Sequence, residues 1–189
     1  MPLELEHEFL TGSIFESVTA SHYEVFAGLV AEYVRWCRDR YKHDVWFVQE
    51  VFGHQSLDSE LQQLARSYGP PRGKTLLARR DGQICGGGAY RRLADGSCEM
   101  KRLFVPDKFK RHGIGRRLCQ ALMTAARDEG YALMRLDTAT LLTEAIGMYK
   151  SLGFRECPPH RAYPDELMSY LIFMEVSLAH PLADRRAYR

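Results

Sequence analysis

The chain has 189 residues, 46% hydrophobic and 26% charged, a balance that fits one globular domain and excludes a disordered, collagen-like or coiled-coil chain. Twenty-six Lys and Arg against 24 Asp and Glu leave a formal charge of +2. No overall field therefore calls for a partner nucleic acid or an anionic membrane, and neither is expected.

Ser13 to Thr19 reads as a short strand. Thr19 or Ser21 can cap a helix ending near Arg40, in which Val25, Leu29, Val30, Tyr33 and Val34 recur at helical spacing. Asp44 to His54 is aromatic-rich and is expected to be irregular. A second helix is expected from Ser56 or Asp58, with Leu57, Leu61, Leu64 and Ala65 on its apolar edge, stopped by Gly69-Pro70-Pro71. Asp81-Gly82 and Ala94-Asp95-Gly96-Ser97 then punctuate three antiparallel strands, Lys74 to Arg80, Gln83 to Arg91 and Cys98 to Val105. Ile114, Leu118, Ala121, Leu122 and Ala125 mark a helix that Gly130 closes. Tyr131 to Thr138 reads as a strand and Thr143 to Leu152 as a short helix, followed by a brief strand from Phe154, a proline-rich loop and a longer strand, Ser169 to Leu178. Strands with interspersed helices predict a mixed sheet covered by helices, an α/β or α+β layer architecture. The expected division is an N-terminal extension 1–12, a domain 13–178 and a polar tail 179–189.

Five cysteines, with no Cys-x-x-Cys pair and no zinc-type spacing, read as structural thiols. Glu4, Glu6 and Glu8 stand where a signal peptide would be basic, and no apolar run is long enough to cross a bilayer. A cytoplasmic location is the expectation. No His-Glu-x-x-His or similar spacing occurs among His43, His54 and His160, so no metal is expected.

The most informative stretch is Lys110-Arg111-His112-Gly113-Ile114-Gly115-Arg116, where a strand's end meets the start of an amphipathic helix. A helix begins with amides that lack intrahelical acceptors and with the positive end of its dipole, so a phosphate is favoured there. Gly113 and Gly115 allow close backbone approach, and Lys110, Arg111 and Arg116 add positive charge. Taken alone, the stretch also suits a glycine-rich loop with a solvated basic face. Two other glycine patterns fail. Gly69-Pro70-Pro71-Arg72-Gly73-Lys74-Thr75 is one residue short of a P-loop and precedes a strand. Gly113-x-Gly115-x-x-Leu118 lacks the third glycine of a dinucleotide fingerprint.

The segment Cys98 to Val105 followed by Lys110 to Gly115 resembles motif A of the GNAT superfamily of N-acetyltransferases, with Lys110 where Gln or Arg is usual. Ala145-Ile146-Gly147-Met148-Tyr149-Lys150-Ser151-Leu152-Gly153-Phe154 resembles its motif B, although Leu142 stands where the superfamily often has asparagine. The resemblance implies a mixed, mostly antiparallel six- to seven-stranded sheet flanked by about four helices, with two central parallel strands splayed apart around acetyl-CoA. It implies pantetheine contacts at Leu103, Phe104 and Val105 and a pyrophosphate held on amides of Arg111, His112, Gly113, Ile114, Gly115 and Arg116, with Lys110 beside them. Acetyl-CoA is thus the expected co-substrate and an amine the expected acceptor, attacking the thioester directly; a homodimer is allowed for.

Acyl transfer needs a neutral nitrogen and a stabilised thiolate. Glu99 matches the position of the catalytic glutamate in the histone-modifying GNAT branch and is the candidate base. Burial could raise its pKa and Lys101 oppose that, and a carboxylate paired on the sheet surface is an equal reading. Tyr149 matches the motif B tyrosine that protonates or hydrogen-bonds the departing thiolate. Trp46, Gln49 and Glu50, in the aromatic cluster with Tyr41, Phe47 and Phe52, are candidate acceptor contacts. The alternative to an enzyme is a non-catalytic acyl-CoA sensor using the same cradle.

Overall fold

In a computed structural model, residues 12–179 are described; residues 1–11 of the expected extension and 180–189 of the expected tail lie outside them. Among the described residues, seven strands form one sheet in the order β1-β2-β3-β4-β5-β7-β6. They are β1 (Ser13–Glu16), β2 (Gly73–Arg80), β3 (Gln83–Arg92), β4 (Cys98–Phe104), β5 (Leu133–Ala139), β6 (Arg155–Glu156) and β7 (Leu171–Ser177). Among the described strands, only β4 and β5 pair in parallel.

Helix α1 (Ala20–Arg40) starts on Thr19, whose side chain accepts from the His22 amide and so satisfies one orphan donor of the first turn. Helices α2 (Val45–His54), α3 (Leu57–Leu61) and α4 (Leu64–Tyr68) follow it. Helix α5 (Ile114–Asp128) lies after a 3-10 turn at Asp107–Phe109, and α6 (Thr143–Ser151) and α7 (Asp165–Met168) complete the described helices. The Asp81-Gly82 turn has positive φ at both residues, the conformation a two-residue hairpin between β2 and β3 requires.

Three apolar clusters divide the interior. Leu118, Cys119 and Leu122 of α5 pack with Met100, Met134, Leu136 and Tyr149 on one face of the sheet. Phe26, Leu29 and Val30 of α1 pack with Leu64 and Tyr68 on the other, against Leu77 and Ala89. A third cluster joins Val34 and Cys37 of α1 to Phe47, Val48, Val51 and Phe52 of α2 and to Ala139, Leu171 and Phe173. The three central glycines of β3 bring these layers close. A Cβ on Gly87 would stand 3.0 Å from Leu77 and 3.1 Å from Leu29, and one on Gly88 would stand 3.0 Å from both Leu103 and Leu122.

Three expectations about elements are corrected. The stretch 45–54 is helical, since Phe47, Val48, Val51 and Phe52 turn to one buried side at helical spacing. The second predicted helix is two short ones, α3 and α4, broken at Gln62 and Gln63. The loop before β7 contains α7, which buries Leu167. There are accordingly seven helices among the described residues where about four were expected.

Candidate active site

Strand β4 is bent by its own backbone. Arg102 has φ +58°, a left-handed conformation that costs a branched or long residue of the order of 1 kcal/mol. The ladder with β3 shifts register at this point, from Ala89 opposite Lys101 to Gly87 opposite Phe104, which is the signature of a β-bulge. On the other side, β4 pairs with β5 only at Cys98–Met134 and Glu99–Arg135. The two parallel strands therefore part after their first residues, and the backbone of Leu103 and Phe104 has no ladder partner in β5.

The gap opens onto a cavity of about 70 Å³ lined by Met100 to Leu103 of β4, Leu136 to Ala139 of β5, Tyr33 and Cys37 of α1, Phe47, Val48, Val51 and Phe52 of α2, Gln55 at the end of that helix and Tyr149 of α6. Tyr149 is only 8% exposed. Burial, with smaller contributions from Cys119 and Asp137, pushes its phenol well above the usual range, so it stands as a proton and hydrogen-bond donor at neutral pH. The thiols are poor nucleophiles here. Burial pushes Cys119 up to about 12 and Cys37 up to about 11, and a thiol, unlike a thiolate, does not attack a thioester efficiently.

At the start of α5, Gly113 is the N-cap residue with φ +70° and makes no side-chain capping bond. Arg111 is also left-handed, with φ +66°. The first intrahelical bond runs from the Arg117 amide to the Gly113 carbonyl at 3.0 Å, so the amides of Ile114, Gly115 and Arg116 precede any intrahelical acceptor. A Cβ built on Gly113 meets nothing within 4 Å, and one on Gly115 meets only Val105 at 3.8 Å and Met148 at 3.9 Å. The turn thus presents amides and a dipole's positive end to open space, which suits a diphosphate. The three expected cations differ. Lys110 sits over the Trp36 ring at 4.0 Å and pairs with Asp107. Arg116 donates to Ser151 Oγ at 2.7 Å, tying α5 to α6. Arg111 and His112 are exposed at the turn.

Glu99 lies elsewhere. Its side chain is fully buried, and it does not line the cavity. It accepts from Arg161 at 2.6 and 2.8 Å, from Arg91 at 3.0 Å and pairs with His160 at 3.3 Å. Burial pushes its carboxyl up, but Lys101, the His160 hydrogen bond, Arg161 and Arg91 outweigh burial and hold it far below the usual carboxylate range. Of the two opposed effects on its pKa, the cations prevail over burial. The expected common face with Leu103 fails, because the bulge at Arg102 turns Leu103 to the α5 side, where it packs with Met100's cluster.

The acid that does line the cavity is Asp137 of β5. Lys101 Nζ donates to its Oδ1 at 2.9 Å, and the Tyr163 hydroxyl donates to Oδ2 at 3.2 Å. Burial raises the Asp137 pKa, but Lys101 brings it below the ordinary carboxylate value. Gln55, the C-cap residue of α2, donates from Nε2 to Tyr163 Oη at 2.7 Å and to Asp137 Oδ2 at 3.4 Å. Ligand atoms of Glu99, Asp137 and His160 lie within 4.8 Å of one another, but Lys101, Arg91 and Arg161 already neutralise these carboxylates, which disfavours a further cation.

The three expected acceptor contacts are not in the cavity. Trp46 is 42% exposed, and Gln49 and Glu50 are exposed on the outer side of α2. Their helix neighbours Phe47, Val48, Val51, Phe52 and Gln55 line it instead. The signal was in the sequence. Those five positions follow an i, i+1, i+4, i+5, i+8 pattern, which a helical reading of 45–54 would have turned inward. Asp137 also had a signal, as the one acid of β5, between Leu136 and Thr138.

Comparisons with known proteins converge on one family. The family model described as "Acetyltransferase (GNAT) family" matches residues 32–154. An uncharacterized N-acetyltransferase of Schizosaccharomyces pombe is 35% identical over 119 residues, 62% of this chain and 73% of its own. An IAA acetyltransferase of Azospirillum brasilense is 33% identical over 141 residues, 74% of this chain and 85% of its own. Among solved structures, a Staphylococcus aureus acetyltransferase of the GNAT family superposes with TM-score 0.67 over 89% of this chain and 99% of its own at 17% identity, a likeness of fold.

Proposed function

Because the chain belongs to the GNAT acetyltransferase family, whose reaction is acyl transfer from acetyl-CoA, we propose that it transfers an acetyl group to a primary amine by direct attack on the thioester. One observation carries the reading: Tyr149, a protonated buried phenol, lines a cavity in the gap between β4 and β5. In this reading the diphosphate rests on the amides from Arg111 to Arg116, and the open space around Gly113 is where it fits. The pantetheine amides pair with the backbone of Leu103, Phe104 and Val105, which β5 leaves without a ladder partner beyond Glu99.

The nitrogen lone pair forms the C–N bond, the C–S bond breaks with its electron pair going to sulfur, and the proton that nitrogen sheds balances the thiolate charge. Tyr149 donates its phenolic hydrogen bond to the departing sulfur, which lowers the barrier without requiring full proton transfer. A backbone amide near Leu103 polarises the thioester carbonyl. Glu99 acts through its neighbours: it fixes Arg161 and His160, and hence the loop that carries Tyr163. A carboxylate held so far below neutrality is a weak proton acceptor, so the acceptor enters as its neutral amine. A cytoplasmic setting goes with this reading, since Cys37, Cys85, Cys98, Cys119 and Cys157 are all free thiols.

The test is to incubate the purified protein with acetyl-CoA and a panel of primary amines while following free thiol. Amine-dependent thiol release is expected. Bound acetyl-CoA with no release for any amine would contradict the reading.

A further inference from the structure

Within the proposed reaction, we infer that Gln55 is the residue that selects the acceptor, its Oε1 taking a hydrogen bond from one N–H of a primary amine. The inference begins from an unpaired atom. Gln55 Oε1 is buried and has no hydrogen-bond partner, although the residue lines the cavity shared by Tyr149 and Asp137. A buried carbonyl oxygen left unpaired is costly, so such an atom on a cavity-lining residue calls for a donor from outside the chain.

The orientation of the amide is set by its neighbours. Nε2 donates to the Tyr163 hydroxyl at 2.7 Å and faces Asp137 Oδ2 at 3.4 Å. The Tyr163 hydrogen is committed to Asp137 Oδ2 at 3.2 Å. Reversing the amide would bring Oε1 against the Asp137 carboxylate, an acceptor facing an anion, and would take the donor from a hydroxyl that needs one. Asp137 in turn stays charged because Lys101 pairs with it at 2.9 Å. The relay Lys101, Asp137, Tyr163, Gln55 therefore holds Oε1 as the acceptor left over.

The rest of the lining agrees with an uncharged nitrogen on a slender, apolar-flanked group. Both cationic groups of the lining are committed, Lys101 to Asp137 and Arg102 to Glu60. The remaining walls from α1 and α2 are Tyr33, Cys37, Phe47, Val48, Val51 and Phe52. A neutral primary amine has two N–H bonds and one lone pair. One N–H goes to Gln55 Oε1, the lone pair forms the new C–N bond, and the second hydrogen is the proton lost, so the amide product keeps its bond to Gln55. A secondary amine loses its only hydrogen in the same step and leaves Oε1 unpaired in the product. Gln55 thus favours primary over N-methylated acceptors.

This inference rests on the proposed acetyl transfer, and the experiment separates the two. Thiol release from acetyl-CoA is measured for the wild type, Gln55→Met and Tyr163→Phe with alkylamines, arylalkylamines, amino acids, amino-acid amides and lysine peptides. Each acceptor that the wild type uses is paired with its N-methyl analogue. Gln55→Met, of matched length, is expected to lower kcat/KM for primary amines at least tenfold, to reduce the primary-to-N-methyl ratio at least fivefold and to leave acetyl-CoA affinity unchanged. Tyr163→Phe, which keeps the amide but removes the hydroxyl orienting it, is expected to reduce the same ratio by a smaller factor and serves where Gln55→Met does not fold. An unchanged ratio in either folded variant would overturn the inference while leaving the acetyl transfer standing. Wild-type protein that binds acetyl-CoA but acetylates no amine would overturn both.

Discussion

Arg102, in left-handed backbone on β4, grips both carboxylate oxygens of Glu60 on α3, at 2.7 and 3.1 Å. The pair is buried, and the guanidinium also lies 5.2 Å over the Phe52 ring. One contact therefore joins the bulge that parts β4 from β5 to the helices that roof the acceptor side. Arg102 is raised above its ordinary pKa and Glu60 lowered; in each, burial opposes the charged form and the partner outweighs it.

Glu60→Ala leaves the Arg102 charge buried and unpaired. Loss of one partner of a buried ion pair costs about 3–5 kcal/mol, and that loss is the expected change in a urea unfolding curve. A loss below about 1 kcal/mol would show that Arg102 finds solvent or another acceptor. Acetyl-CoA affinity is expected to fall in the same variant, since the bulge loses its anchor.

Glu99→Gln separates a base from a structural anchor. With Arg91 and Arg161 left without their carboxylate, stability is expected to fall by about 3–5 kcal/mol, while kcat per folded molecule changes less than fivefold. A hundredfold loss of kcat in fully folded protein, with a lost acidic limb in the pH–rate profile, would return Glu99 to the role of base. The pH dependence of stability follows from the same network. Glu99, Glu60 and Asp137 all have folded pKa values below their ordinary ones. Their contribution is complete above the ordinary carboxylate range and is lost as pH falls from about 4.5 toward the folded values. Thermal unfolding is expected to be flat in this respect between pH 6 and 7 and to drop steeply below about pH 4. For Glu99→Gln the drop should be shallower; an identical acid limb would remove Glu99 from the cause.

Tyr149→Phe keeps the ring that packs against Phe154 at 5.5 Å and removes only the hydroxyl. The rate of thiol release is expected to fall roughly 10- to 1000-fold, with acetyl-CoA affinity within twofold of the wild type by calorimetry. Parallel losses in rate and affinity would make the tyrosine a packing residue.

Much of this architecture was legible in the residues. The Asp81-Gly82 hairpin, the amphipathic run Ile114 to Ala125 and the Gly113 turn each join a local conformational need to a residue type that meets it, so local reasoning reached them. What escaped was set by contacts distant in sequence. Glu99 was placed on the right strand, but its partners Arg161 and His160 come from a loop about 60 residues later, and no local pattern announces that three cations converge on one carboxylate. The bulge at Arg102 carries no glycine to mark it; the Glu60 clasp and the packing around it hold that backbone. Trp46, Gln49 and Glu50 were chosen by residue type, whereas the helical period of 45–54 turns their neighbours inward. Gln55 becomes visible only when Tyr163 and Asp137 are brought to it.

Gly113→Val tests the anion cradle against the fold. A Cβ there meets open space, so the change costs the fold only the strain of a branched residue at φ +70°, of the order of 1–3 kcal/mol. Acetyl-CoA affinity is expected to fall at least thirtyfold, because the side chain enters the space in front of the amides. A drop in unfolding temperature with unchanged affinity would put the diphosphate elsewhere.

The most direct measurement is a pair of calorimetric titrations of the wild-type chain, one with acetyl-CoA and one with acetyl-pantetheine, which carries the same thioester and amides but ends before the diphosphate. Saturable one-to-one binding of acetyl-CoA, at least tenfold tighter than acetyl-pantetheine, is the predicted result. Equal affinities, or no heat with acetyl-CoA, would contradict the assignment of the amides from Arg111 to Arg116 as the grip on the cofactor.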